Sequence, residues 1–497
     1  MNRIIDSSNA AFEFDNSYLR ELEGFYVSCQ AETVSAPRWI KFNYALAEEL
    51  GLGAEELDTP EGADIFSGNT LPPGAASIAQ AYAGHQFGNF TPQLGDGRAL
   101  LLGEVIDRMG RRRDIQLKGS GRTPFSRSGD GKAAIGPMLR EYLMGEAMHH
   151  LGIPTTRALA VVATGELVRR ETMLPGAVLT RVAASHIRIG TFEYFAARKD
   201  VAGVKRLADY TIRRHYPELA GRPYIEFLLG AVARQARLVA NWMRVGFIHG
   251  VMNTDNMALS GETIDYGPCA FMEHYDPSTV FSSIDHDGRY AFGNQPAIAQ
   301  WNLARFAETL LPLLDEDVKQ AIRIATEAIN SFGEQYENAW LEMMRSKLGL
   351  RRAEAGDAML AQEFLAILQE GQVDYTLAWR NLADAAESGP ARLRSVFPGD
   401  MKKLDEWLPR WLARLALEGK PLAGIAADMR RVNPYLIPRN HLVEQALEAA
   451  TRNDDIAPFN QLVEVLGDPY TEREAAQPYA VPAPIEQTAS YQTFCGT

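Results

Sequence analysis

The chain has 497 residues, 46% of them hydrophobic, enough to bury a large core and to fill two or three domains. A formal net charge of −13 argues against a nucleic-acid partner or an anionic membrane surface. No apolar run approaches the ~20 residues of a membrane span, and Met1 to Asp15 lacks the basic-then-apolar order of a signal peptide, so a cytoplasmic, monomeric protein is expected.

Residues 1–70 mix aromatic and acidic segments and read as an N-terminal extension, with one short helix at Asn43 to Leu50 closed by Gly51. From Leu71 the texture turns to Pro, Gly and small residues, through the run Tyr82-Ala83-Gly84-His85-Gln86-Phe87-Gly88. The turn Gln93-Leu94-Gly95-Asp96-Gly97-Arg98 then leads into an apolar segment, Ala99 to Ile106, expected as a buried strand. Arg111 to Arg113 is expected at a solvated hairpin tip. Asp114 to Lys118 alternates, with Ile115 and Leu117 on one side and Asp114, Gln116 and Lys118 on the other. Period two makes it a half-buried strand with Lys118 on the open face. Gly119 to Gly131 reads as a loop, followed by a helix that carries Glu141 and stops at Gly152-Ile153-Pro154. Three short strands are expected at 158–163, 166–171 and 177–182. Residues 71–191 thus form a small sheet with one main helix.

Residues 192–467 read as helical. Ile225, Leu228, Leu229, Val232, Ala236, Val239, Trp242 and Met243 make a continuous stripe, and further helical patterns lie near 297–314, 317–347, 357–369, 375–386, 402–417 and 439–451. The tail, 468–497, is rich in Pro and Ala with little periodicity and is expected to be extended or loose. Cys29, Cys269 and Cys495 match neither a disulfide framework nor a zinc spacing. His286-Asp287 lacks a third metal ligand at helical or turn spacing.

The chemistry concentrates after the long stripe, in His249-Gly250-Val251-Met252-Asn253-Thr254-Asp255-Asn256 and Asp265-Tyr266-Gly267. Asn256 and Asp265 are hard oxygen ligands suited to a divalent cation. The order of helix, His loop, Asn and Asp-aromatic-Gly is that of a protein-kinase catalytic loop and metal loop, but Val251 stands where the kinase Asp belongs. The nearby carboxylate is Asp255. Upstream, Lys118 on a strand and Glu141 on the next helix match the lysine–glutamate pair that holds phosphates in kinases. Read singly, the two are surface residues; in this order they form a phosphate-binding pair. Gly95 and Gly97 let backbone N–H groups approach phosphate and Arg98 adds a forked cation; the loop of Asp130 and Gly131 has the same character. Arg181 and Arg188 flank the exit of the small sheet, where a lone arginine reads as a salt-bridge residue. The expected class is α+β, a protein-kinase-like bilobal fold with extensions at both ends.

These motifs, together with Gln116-Leu117-Lys118-Gly119-Ser120-Gly121, Leu139 to Met144 and Thr263 to Pro268, resemble the signatures of the selenoprotein O (SelO/YdiU) family over nearly the whole chain. The resemblance implies a kinase-like protein adenylyltransferase that binds ATP inverted relative to kinases. AMP then passes to Ser, Thr or Tyr hydroxyls of target proteins, and pyrophosphate leaves. It further implies nucleotide contacts from Gly95, Gly97, Arg98, Lys118, Asp130, Gly131, Arg181, Arg188 and Asp265. Asp255 would accept the proton, Asn256 and Asp265 would bind Mg²⁺ or Mn²⁺, and Glu141 would hold Lys118. Cys495 occupies the family's selenocysteine position, and Cys269 is its candidate redox partner. UTP as an alternative donor, an orthodox kinase-type phosphotransferase and a non-catalytic nucleotide-binding scaffold stay open at this point.

Overall fold

The computed structural model describes residues 12–489 and 491–494. In chain order its first elements are α1 (Ser17–Glu21), β1 (Tyr26–Ser28), β2 (Arg38–Phe42), α2 (Tyr44–Glu49), α3 (Ala54–Leu57) and α4 (Pro60–Ser67). There follow β3 (Ile78–Gln80), β4 (Gly84–Gln86), β5 (Asn89–Thr91), β6 (Ala99–Ile106), β7 (Arg112–Lys118), α5 (Ile135–His150), β8 (Arg157–Arg169) and β9 (Met173–Ala183). The helical part opens with α6 (Ile189–Ala197), α7 (Val201–His215) and α8 (Tyr224–Val245). After the short pair β10 (Phe247–Ile248) and β11 (Ala270–Phe271) come α9 (Gln295–Leu314) and α10 (Val318–Leu348), and then shorter helices. The fold is α+β, one large sheet and two two-stranded pairs with many helices, an arrangement compatible with two lobes. None of the described helices is long and apolar enough to cross a membrane.

Seven strands form one sheet in the order β1-β3-β6-β7-β9-β8-β2. Both edge strands come from the first 70 residues. The two faces are built differently. Ile115 and Leu117 of β7 pack with Leu46, Phe66, Val162 and Val178 in a core roofed by α2 and α4. Asn43 caps α2, its Oδ1 accepting from Leu46 N at 3.1 Å. On the other face Asp114, Gln116 and Lys118 are buried as well, among the polar side chains of β9, α5 and α7. The alternation read from the sequence holds, but the strand is covered on both faces. Arg111 to Arg113 is ion-paired rather than simply solvated: Arg111 and Arg113 reach Asp107, and Arg112 reaches Glu104 at 3.0 Å.

The three short strands expected at 158–182 are two long ones. Register shifts between Ala163 and Leu167, where Gly165 takes φ 74°, and β8 resumes beyond that bulge, so one strand reads as two. α8 carries the whole stripe and ends at Gly246, φ 75°. The described part of the tail is docked rather than loose: residues 477–480 and 485–489 are helical, and Thr493 bridges Ser282. Thr493 N donates to Phe281 O at 2.7 Å, a backbone contact that leaves no trace in side-chain periodicity.

The sheet is tied to the helices by a buried ionic cluster. Arg214 of α7 donates to Asp114 of β7 and lies 3.4 Å from Glu104 of β6, and His186 Nδ1 donates to Asp114 Oδ2 at 2.9 Å. Burial would raise the Asp114 carboxyl, but Arg214 and His186 outweigh it and hold it down at about 2. Burial pushes His186 down to about 4, so it stays neutral.

Replacing Arg214 with Ala leaves the buried Asp114 without its cation and Glu104 with Arg112 alone, and the expected cost is about 3–5 kcal/mol of unfolding free energy, read from the urea midpoint. The pH dependence has a definite sign. Above pH 6.5 folded and unfolded His186 are both neutral; between 6.5 and about 4 only the unfolded state takes up the proton. Stability therefore falls across that window as pH drops, and His186→Asn shrinks the fall; urea titrations across the window measure both.

Candidate active site

A cavity of about 660 Å³ opens between the sheet and the helices. Gly95, Gly97, Arg98, Lys118, Asp130, Gly131, Arg181, Arg188, Asp255, Asn256 and Asp265 all line it. Glu141 sits behind Lys118 and faces a neighbouring cavity of about 480 Å³. The two arms of the sequence, 95–141 and 181–265, thus meet at one place.

The centre is ionic. Lys118 Nζ donates to Glu141 Oε2 at 2.5 Å and to Asp265 Oδ1 at 3.2 Å. Arg181 donates to Glu141 Oε1 at 3.3 Å and to Asp265 Oδ1, and Arg188 donates to Asp265 Oδ2. Burial alone would raise the Asp265 carboxyl, but Arg188, Lys118 and Arg181 hold it well below the usual carboxylate range. Glu141 is likewise held low by Lys118 and Arg181 against its burial. Asp265 adopts φ 63°, a left-handed conformation that costs a non-glycine residue about 1–3 kcal/mol and that concentrates at functional sites.

Two arginines expected singly at the sheet's exit are therefore central, and alternation explains Arg181. It pairs with Gln116 across β7 and β9 and shares the polar face with Lys118. Arg188 opens α6; its guanidinium lies 4.8 Å over the Tyr82 ring and donates to Asp255 O at 2.6 Å.

The segment that carries Asp255 and Asn256 is held by its own residues. His249 Nε2 donates to Ile264 O at 2.9 Å, which leaves Nδ1 to accept from Val251 N at 3.4 Å. Asn256 Nδ2 donates to Val251 O at 2.9 Å, which turns the amide oxygen the other way. Asp255 is 8% exposed, and burial, only partly offset by Arg188, pushes its carboxyl up to about 7. Its Oδ1 is buried and has no hydrogen-bond partner among the described residues.

The glycines are required by packing. A Cβ on Gly95 would lie 2.3 Å from the Phe125 ring, and one on Gly97 2.9 Å from Phe125 O, so the two glycine-bearing loops are packed against each other. Gly131, φ 68°, lies with its would-be Cβ 2.0 Å from Gly121 O. Asp130 pairs with Arg170 at 2.9 Å. Arg98 lines the cavity with no side-chain hydrogen bond or ion pair to another described residue. Four lining or supporting residues carry no motif signal for their roles: Arg170, Gln116, Tyr82 and Gln86. Asp96 is visible in its Gly-Asp-Gly turn, but not as the acceptor for Gln80 N and Gln116 Nε2 at 3.1 Å each.

The donor set suits a hard divalent cation: one carboxylate and one amide oxygen, from two residues that line the same cavity. Among the described residues no group of three or more His, Cys, Asp or Glu could hold a metal, so two protein ligands would be completed by phosphate and water, as is usual for Mg²⁺. His286 and Asp287 are exposed. Cys269 is buried, its carbonyl accepting from Arg140 at 2.6 Å; Cys495 lies outside the described residues.

A family model described as protein adenylyltransferase SelO matches residues 9–467. The chain is 61% identical over 489 residues to the protein nucleotidyltransferase YdiU of Cereibacter sphaeroides strain KD131, covering 98% of this chain and 100% of that protein. It is 57% identical over 493 residues to the protein of the same name from Rhodopseudomonas palustris strain CGA009, with 98% and 100% covered. A third relative so named, from Bradyrhizobium sp. strain ORS 278, is 58% identical over 488 residues, with 98% and 99% covered. Matches of this length and identity show that the chain belongs to the protein adenylyltransferase SelO family, a family of nucleotidyltransferase enzymes.

Proposed function

We propose that the protein transfers AMP from ATP to Ser, Thr or Tyr hydroxyls of target proteins and releases pyrophosphate. The observation that carries this reading is the place of the carboxylate. Val251 stands where a kinase keeps its base, while Asp255 is buried in the cavity wall with one oxygen unpartnered and its backbone tied to Arg188. The scaffold of this reading is a kinase-like bilobal fold. Residues 71–191 form the nucleotide-binding lobe and 192–467 the helical lobe, extended by 1–70 and 468–497.

In the proposed reaction the acceptor oxygen attacks the α-phosphorus. A new P–O bond forms, the bond between the α-phosphorus and the bridging oxygen breaks, and pyrophosphate leaves with that electron pair. The hydroxyl proton passes to Asp255. A carboxyl pushed up to about 7 can take that proton and release it again near neutral pH. Lys118, Arg98, Arg181 and Arg188 would neutralise the phosphates, and Glu141 fixes the Lys118 rotamer. A Mg²⁺ or Mn²⁺ ion on Asn256 and Asp265 would supply charge neutralisation at the phosphate oxygens. Asp130, Gly131, Gly95 and Gly97 would shape the loops around the nucleotide.

Within the same reading Cys269 and Cys495 form a redox pair. Its support is that Thr493 Oγ1 donates to Pro268 O at 2.7 Å, which brings Thr493, two positions before Cys495 in sequence, to the neighbour of Cys269.

Incubation with a protein acceptor and ATP labelled at the α or the γ position tests the reaction. Label is expected from the α position only, with transfer abolished in Asp265→Ala and reduced about 10²–10⁴-fold in Asp255→Asn; label from the γ position alone contradicts it. Running the same assay with labelled UTP decides whether UMP is also transferred. For the thiols, non-reducing peptide mapping after mild oxidation is expected to recover a peptide joining Cys269 to Cys495, with lower activity that reductant restores.

A further inference from the structure

The run Tyr82 to Gly88 carries Tyr82 and Gln86 into the cavity lining, and its hairpin packs beside the Asp255 carboxylate. β4 and β5 make a hairpin in the register Gly84↔Thr91, His85↔Phe90 and Gln86↔Asn89. Its two turn residues, Phe87 at φ 50° and Gly88 at φ 82°, both lie in the left-handed region, as a tight two-residue hairpin turn requires. Phe at such a position is strained, and its ring is held at 5.0 Å from that of Tyr290.

The hairpin is fastened to the two residues that precede Asp255. His85 N donates to Thr254 Oγ1 at 2.6 Å, and Phe87 N donates to Asn253 Oδ1 at 3.1 Å. Tyr290 OH donates to the same Asn253 oxygen at 2.7 Å. Glu193 of α6 joins both sides, one oxygen accepting from His85 Nδ1 and the other from Thr254 Oγ1. Ala83 N donates to Gly190 O at 2.9 Å, where a Cβ on Gly190 would lie 2.1 Å from Ala83 O. Hairpin, catalytic turn and α6 thus meet at a separation that side chains at these points would forbid.

This assembly places two groups on the Asp255 carboxylate. Gln86 Nε2 donates to Oδ2 at 3.4 Å, and Gly84 presents bare backbone to Oδ1, where a Cβ would lie 2.6 Å away. Arg188 fixes the Asp255 main chain but not its carboxylate. We propose that Gln86 is a positioning residue for Asp255: it holds Oδ2 in a fixed orientation, with a second lone pair left for the acceptor proton, while Oδ1 stays buried against Gly84, and the β4–β5 hairpin is the clamp that keeps the carboxylate there. This rests on Asp255 being the proton acceptor. The physical basis is that a carboxylate free to rotate spends little of its time in line with the proton it must take, and a misplacement near 1 Å costs about 100-fold in rate.

The test uses the full-length protein with Gln86→Leu, which removes the donor at similar volume, and Gly84→Ala, which crowds Oδ1. For Gln86→Leu, kcat for AMP transfer is expected to fall about 10–100-fold, while KM for ATP, the dissociation constant for a non-hydrolysable ATP analogue and Tm stay at the wild-type values. Gly84→Ala is expected to lower kcat in the same direction. Wild-type kcat in Gln86→Leu, or a loss matched by equal loss of nucleotide affinity or by a lowered Tm, overturns the proposal. Asp255→Asn, assayed in parallel, separates the two levels. If it transfers AMP at the wild-type rate, the proton-acceptor reading fails and the positioning role with it. If it is inactive while Gln86→Leu is fully active, only the positioning role fails.

Discussion

Three cations converge on the carboxylate of Asp265, and most of the molecule is arranged to bring them there. Lys118 comes from β7, Arg181 from β9 and Arg188 from the position that caps α6, so one side chain, at Asp265, joins the sheet to the helices. The left-handed backbone at Asp265 costs about 1–3 kcal/mol by itself, and the surrounding ion pairs hold it in place. A buried charge loses several kcal/mol of hydration, which only close, well-oriented partners offset. Glu141 takes up Lys118 and Arg181 from behind, so the cluster approaches neutrality within the protein. The same cations lie along a cavity large enough for a nucleotide, where they can exchange carboxylate oxygens for phosphate oxygens.

The sheet is divided between two tasks in consequence. One face of β7 is apolar and packs under α2 and α4. Its other face carries Asp114, Gln116 and Lys118, each joined to a different neighbour: Arg214 of α7, Arg181 of β9 and Glu141 of α5. Replacing such a face with hydrophobic side chains of equal volume is often neutral or stabilising in proteins, so its presence here speaks for function more than for stability. Alternation along one strand thus supplies both the core and the site.

What the sequence disclosed follows from the range of the interactions. Local patterns were readable: the alternation at 114–118, the short helix near 43–50 and the stripe of α8. The break at Gly165 hid the continuity of β8, because a bulge and a turn look alike in composition. Thr493 docks through its backbone and its hydroxyl, neither of which a hydrophobic period records. Gly95 and Gly97 read as room for phosphate, whereas Phe125, nearly 30 positions on, makes them necessary for packing. Gln116, Arg170 and Gln86 find their partners across long stretches of chain, and amide and guanidinium groups carry no spacing rule that announces such pairings. Asp255 stood out for a different reason: a kinase-like order with Val251 in the wrong place directed attention to the nearest carboxylate.

The orientation of the nucleotide is the point on which the rest turns. A structure of the protein with a non-hydrolysable ATP analogue and a divalent cation bound would measure it directly. The α-phosphate is expected beside Asp255, on the acceptor side of the cavity, with the β- and γ-phosphates directed inward. A γ-phosphate beside Asp255, with the α-phosphate held deeper by Lys118, would contradict AMP transfer and return the site to kinase chemistry.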